Sequence, residues 1–195
     1  MTRMAIFASG SGSNFQAIVD ACRSGALDAV PALLICDKED AIVVNRAKAE
    51  AVPSFVFTPK SYKNKKEFES EILLQLEKHK IDFLVLAGYM RLIGSTLLTA
   101  YKGKIVNIHP SLLPAFPGLD AIGQAISYGV KLTGVTIHFV DEGMDTGPII
   151  AQKALEIEPN DTQETLQQKI HKIEHEYYPQ TLQQIFSNKG EKIIR

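Results

Sequence analysis

The sequence predicts an α/β fold: a Rossmann-like, mostly parallel sheet with helices on both faces and antiparallel strands near its C-terminal end. Two observations carry that expectation. Over the first 110 residues, five short, continuous apolar runs alternate with segments that read as helices. Such runs suit strands buried on both faces, and their alternation with helices is the pattern of a doubly wound parallel sheet. Beyond Pro110 apolar and polar residues begin to alternate, as in antiparallel strands with unlike faces.

The apolar runs are residues 4–8, 32–36, 55–57, 83–87 and 105–108, and the helical segments between them begin near Asn14, Val43, Lys65 and Ser95. In the third of these Phe68, Ile72 and Leu76 recur every four residues and form one apolar stripe. Residues 112–118 contain proline without periodicity and read as a loop; residues 120–128 read as a helix. In residues 133–140, Val135, Ile137 and Phe139 share one face and Thr136, His138 and Val140 the other, so this strand should have one more polar side. Residues 148–157 form a further strand, reached by a turn tight enough for an antiparallel pair. Asp161, with Glu164 three residues on, predicts the start of the last helix in the manner of a capping box. Leu166, Ile170, Ile173 and Tyr177 give that helix its stripe, and Pro179 should kink or end it.

Composition narrows the function. A formal net charge of -1 gives no global attraction for nucleic acid or an anionic membrane. No apolar run reaches the roughly 20 residues that span a bilayer. The two cysteines, Cys22 and Cys36, fit a reducing compartment better than a disulfide scaffold. The apolar N-terminal stretch is too short for a signal peptide, so a cytoplasmic protein is expected. Its 195 residues read as a single domain.

Two segments stand out chemically. Gly10, Ser11, Gly12, Ser13 and Asn14 follow the first strand and open the first helix. Glycines permit positive φ, and a helix start offers free N–H groups to an anion. A phosphate monoester is the favoured guest. A dinucleotide is disfavoured, because Phe15 stands where a third glycine would fall and Asp37 comes several residues late for the ribose-binding acid. The second segment ends the fifth strand. Asn107 and His109 share a face there, and Asp145, on a glycine-flanked loop, can reach back to the histidine. An amide and an imidazole side by side can hold a developing oxyanion and move a proton, which points to acyl-type transfer. His109, His138 and Asp145 match no metal-ligand spacing, so no metal is expected, and His138 should pack beside the site or bind backbone.

The run Asn107-Ile108-His109-Pro110-Ser111-Leu112-Leu113-Pro114 resembles the hallmark of formyltransferases that use 10-formyltetrahydrofolate. With the loops at residues 10–14 and around Asp145, the likeness to the members that formylate glycinamide ribonucleotide in purine biosynthesis extends from Met4 to about Phe186. It implies that Asn107, His109 and Asp145 are catalytic. It implies that Gly12, Ser13 and Asn14 hold the ribonucleotide phosphate, that Glu174 binds the ribose hydroxyls, and that His171 stands where another polar residue approaches the ribonucleotide. Met90, Arg91, Leu92 and Ile93 would line the folate pocket with Asn107, Val140 and Asp141 of the later loop, and Lys65 would approach the folate. The partners implied are glycinamide ribonucleotide and reduced folate, with neither nucleic acid nor membrane, and a homodimer left open. A phosphate-binding half of about 1–104 would then precede a catalytic and folate-binding half of about 105–195.

The resemblance is not uniform. Leu119-Asp120-Ala121-Ile122-Gly123 follows Pro117-Gly118 where some members carry histidines. Three rivals remain: hydrolysis of the same formyl donor, formylation of initiator methionyl-tRNA, and a nucleotide-binding module without catalysis. The first two are expected to need an N-terminal regulatory domain and a C-terminal nucleic-acid-binding domain, and neither is read in the 195 residues. The third leaves Asn107, His109 and Asp145 unexplained.

Overall fold

Seven strands form one sheet in the order β3-β2-β1-β4-β5-β6-β7 in the computed structural model, which describes residues 1–187. They are β1 (Thr2–Ala8), β2 (Ala29–Cys36), β3 (Ser54–Val56), β4 (Phe83–Leu86), β5 (Ile105–His109), β6 (Leu132–Phe139) and β7 (Ile149–Glu156). The first five pair in parallel; β6 and β7 add on antiparallel. The helices are α1 (Ser13–Ser24), α2 (Ile42–Ala49), α3 (Lys65–Lys78), α4 (Ser95–Ala100), α5 (Ala121–Tyr128) and α6 (Gln163–Ser187). Among the described residues no helix is long and apolar enough to cross a membrane.

The sheet is covered on both faces. Met4, Ile6 and Ala8 of β1 join one buried cluster with residues of α1, α2, α5 and α6, while Ala5 and Phe7 join a second with α3 and α4. The strand order reverses between β1 and β4, which opens a crevice at the carboxyl ends of the strands. α6 is fixed over that crevice by Tyr178. This side chain is fully buried, and its hydroxyl donates to the carbonyls of Leu86 (2.9 Å) and Val106 (3.3 Å). A buried phenol needs such partners, and one turn before it Glu174 lies on the same helix face.

Three local expectations take forms that the sequence alone did not show. The polar side of β6 is as buried as its apolar side: Thr136 is 0% and His138 2% exposed. Thr136 is satisfied there, its hydroxyl donating to the Ser111 carbonyl and accepting from the N–H of Leu113 and the amide of Gln152. The cap of α6 sits one residue later than expected. Thr162 and Thr165 each accept from the other's backbone N–H, while Asp161 binds the side chains of Thr165 and Lys169. Finally, α6 does not end at Pro179, one of the two outcomes expected there, but continues to Ser187 with Leu182, Ile185 and Phe186 buried.

Candidate active site

A cavity of about 740 Å³ occupies the crevice. Its first wall is the loop after β1. Gly12 has φ 71°, and a Cβ there would lie 2.5 Å from a Val43 methyl carbon, so both backbone and space demand glycine. Three contacts fix the loop: the Ser9 N–H donates to Gly88, the Val43 N–H to Gly10, and the Arg46 side chain to the Ser11 carbonyl. The first turn of α1 closes with Gln16 N–H on the Gly12 carbonyl, so the N–H groups of Ser13, Asn14 and Phe15 have no partner within the helix. An anion can take them.

Glu174 is 5% exposed and accepts from the Asn14 amide at 2.8 Å. Burial pushes its carboxyl up from 4.5 to about 7, against the lowering effect of Asn14. The folded protein therefore holds this proton more tightly than the unfolded chain. The stability Glu174 contributes is fully present below the ordinary glutamate value and is lost as pH rises through about 7. Ionising it in place costs at most on the order of 3 kcal/mol. Glu174→Gln keeps the shape and removes the charge. It should melt several degrees above the wild type near pH ~8.5 and lose that advantage near pH ~4.5. Equal melting temperatures at both pH values would mean that the ionised carboxylate is already compensated.

The opposite wall comes from β5, β6 and the loop after β6. Asn107 and His109 project from one face of β5, and the antiparallel register sets His138 directly opposite Asn107. The loop then brings Asp145 back with φ 58°. A glycine at 147 permits this return, because a Cβ there would sit 1.8 Å from the Phe139 carbonyl oxygen. Asp145 accepts the Gly118 N–H at 2.8 Å and lies 3.4 Å from His109 Nδ1, 3.6 Å from His138 Nε2 and 3.5 Å from the Asn107 amide nitrogen. Burial alone would raise its carboxyl. The His138 contact, the Gly118 N–H and the charge of His109 outweigh burial, and the group stays below the usual carboxylate range.

The two imidazoles are held differently. His109 Nε2 lies 2.8 Å from the Phe116 carbonyl, which can only accept, so that nitrogen carries a proton and Nδ1 faces Asp145. His138 Nδ1 lies 2.8 Å from the Phe139 carbonyl, and its Nε2 faces both the Asn107 amide nitrogen at 3.3 Å and the Asp145 carboxylate at 3.6 Å. His138 thus binds backbone, as the sequence led us to expect, and it also touches two of the three candidate catalytic side chains. The alternation of β6 put it on the right face; only the register with β5 reveals the contact.

Every candidate residue except Lys65 lines this cavity: Gly12, Ser13 and Asn14; Met90, Arg91, Leu92 and Ile93; Asn107 and His109; Val140, Asp141 and Asp145; His171 and Glu174. Lys65 is exposed at the start of α3 and outside the lining. Among the described residues no group of three or more His, Cys, Asp or Glu side chains is placed to hold a metal ion.

An α/β sheet that brings an amide, an imidazole and a carboxylate to the end of its fifth strand suits acyl-type transfer. A family model described as "Formyl transferase" matches residues 2–182, and the chain belongs to that family. It is 60% identical over 194 residues to the phosphoribosylglycinamide formyltransferase of Bacillus subtilis (strain 168), covering 98% of this chain and 100% of that one. It is 40% identical over 185 residues to the human trifunctional purine biosynthetic protein adenosine-3, covering 95% of this chain but 18% of that protein. Among solved structures it superimposes on phosphoribosylglycinamide formyltransferase from Bacillus halodurans with a TM-score of 0.95 and 57% identity, covering 100% of each chain. For glycinamide ribonucleotide transformylase 1 from Geobacillus kaustophilus the TM-score is 0.93 at 62% identity, covering 95% of this chain and 98% of that one.

Proposed function

We propose that this chain transfers the formyl group of 10-formyltetrahydrofolate to the primary amine of glycinamide ribonucleotide, a step of purine biosynthesis. The observation that supports this reading most directly is the meeting of Asn107, His109 and Asp145 on the wall of a cavity that also takes in the open N-terminus of α1. The N–H groups and hydroxyl of residues 12–14 take the phosphate. Glu174 and His171 take the sugar side of the ribonucleotide. Residues 90–93, with Val140 and Asp141, enclose the folate, so its pocket draws on both halves of the chain. Lys65, outside the cavity lining, meets the part of the folate that extends beyond it.

In the reaction the amine nitrogen attacks the formyl carbon and the carbonyl electrons move to oxygen. Asn107 and His109 donate to that oxyanion. The working nitrogen of His109 is Nδ1, since Nε2 is committed to the Phe116 carbonyl. The contacts of Nδ1 with Asp145 (3.4 Å) and of the Asn107 amide with Asp145 (3.5 Å) are long for hydrogen bonds. Both donors can therefore turn to a developing charge at little cost. The C–N10 bond then breaks, and the proton lost by the amine passes through His109 and Asp145 to N10. The products are the formamide and tetrahydrofolate. The folate is a co-substrate here, and no step requires a metal.

A turnover assay with both substrates, run beside one without the ribonucleotide, tests the reading. Tetrahydrofolate should form only when the ribonucleotide is present and match the formamide mole for mole. Equal release without the acceptor would identify a hydrolase in its place.

A further inference from the structure

The segment that would enclose the folate, residues 90–94, has no regular secondary structure of its own. Something else must hold it. Three side chains from elsewhere in the chain do so. The Ser9 hydroxyl, at the end of the first strand, accepts the Met90 N–H at 3.0 Å. Asp37, just after β2, accepts the Arg91 Nε–H at 2.7 Å. Glu69, in α3, accepts the Gly94 N–H at 2.6 Å. Between these anchors Met90 and Leu92 remain 62% and 55% exposed, lining the cavity.

Two of these anchors are buried carboxylates. Asp37 is 5% and Glu69 2% exposed, and neither lines the cavity. A buried carboxylate is costly unless it is well used. Asp37 spends one oxygen on the partly exposed Arg91 and leaves Oδ1 buried without a hydrogen-bond partner. Glu69 has both oxygens against Gly94, where an added Cβ would lie 2.6 Å from one and 2.9 Å from the other, so a larger residue there would push the Glu69 carboxyl group aside. Glu69 also accepts the Leu97 N–H in the first turn of α4, so it closes that helix start together with the segment that leads into it. What the two acids share is the segment they hold, Asp37 at Arg91 and Glu69 at Gly94.

We propose that Asp37 and Glu69 are positioning residues that hold residues 90–94 in the shape the folate co-substrate needs, acting on folate affinity and not on the formyl-transfer step. This rests on the reading of residues 90–93 as the folate wall. Held from behind, the segment presents Met90 and Leu92 at a fixed depth and keeps the Arg91 side chain drawn back to Asp37. Released, it would have to be ordered by the co-substrate itself, and the ordering cost would appear as weaker binding.

The test compares the wild type with Asp37→Ala, Glu69→Ala and the isosteric Asp37→Asn and Glu69→Gln. Kinetics with both substrates are read beside thermal melts and amide hydrogen exchange over residues 88–98. Each alanine variant should raise the KM for 10-formyltetrahydrofolate about tenfold, with kcat and the KM for the ribonucleotide within about twofold. Exchange at the segment should quicken. Asparagine and glutamine keep an acceptor oxygen, so they should recover most of the loss. A lowered melting temperature with all kinetic constants moving together, or no change in folate KM and exchange, would overturn the proposal. A wild type that turns over neither substrate would defeat the functional reading, and exchange at residues 88–98 in the alanine and isosteric variants would then decide the positioning role alone.

Discussion

Asp145→Asn lowers kcat by about two to three orders of magnitude and leaves the KM for the ribonucleotide within about threefold. The substitution isolates charge from shape. Asparagine tolerates the left-handed backbone, φ 58°, that this residue adopts, and it keeps an oxygen for the Gly118 N–H at 2.8 Å. What it loses is the negative charge facing His109 and His138. Alanine would be a poorer choice, because it also strands the Gly118 donor and loosens the loop that leads into α5. The wild-type carboxyl is held below the usual carboxylate range by His138, Gly118 and His109 despite its burial. Its own protonation should therefore not set the acid limb of the pH–rate profile above the ordinary aspartate range. Stopped-flow measurement of single turnovers at saturating ribonucleotide separates chemistry from release. A defect confined to ribonucleotide KM, with kcat intact, would remove Asp145 from the chemistry.

What could be read from the sequence followed local rules. Apolar runs gave strands because a parallel strand is buried on both faces, and the observed strands lie within a few residues of the expected runs. Period two placed Asn107 beside His109, and the glycine pattern placed a tight helix entry at residues 10–14. What stayed hidden depended on partners distant in sequence. Thr136 and His138 looked like the polar side of a strand, yet both are buried, because Ser111, Leu113 and Gln152 satisfy one and Phe139 and Asn107 the other. Asp161 with Glu164 matched the capping pattern, but Thr162 with Thr165 closes the turn, because Asp161 is drawn off by Lys169. Asp37 was misplaced for a ribose and gave no other signal. Its partner Arg91 stands 54 residues on, beyond two helices. Glu69 sat within the helical stripe of α3 as one more charged residue, and only the fold reveals that its oxygens meet Gly94.

His109→Ala should lower kcat by roughly three orders of magnitude or more, leaving the dissociation constant for the ribonucleotide within about twofold, since it removes the proposed oxyanion donor and the proton carrier together. Calorimetric titration of the ribonucleotide checks the second half. A module that only binds nucleotides would show no activity to lose, whereas an enzyme keeps its affinity and loses its rate. The double variant His109→Ala with Asp145→Asn carries the sharper information. If Asp145 works by holding and recharging the imidazole 3.4 Å away, its charge has nothing to act on once the ring is gone, and the double variant should be about as slow as His109→Ala alone. Independent roles would make the two losses multiply. Because the Phe116 carbonyl loses its 2.8 Å donor in either His109 variant, the melting temperature should fall by a few degrees in both the single and the double. Only the rates distinguish a shared device from two separate ones, and near-equality of the single and double variants is the result that the geometry requires.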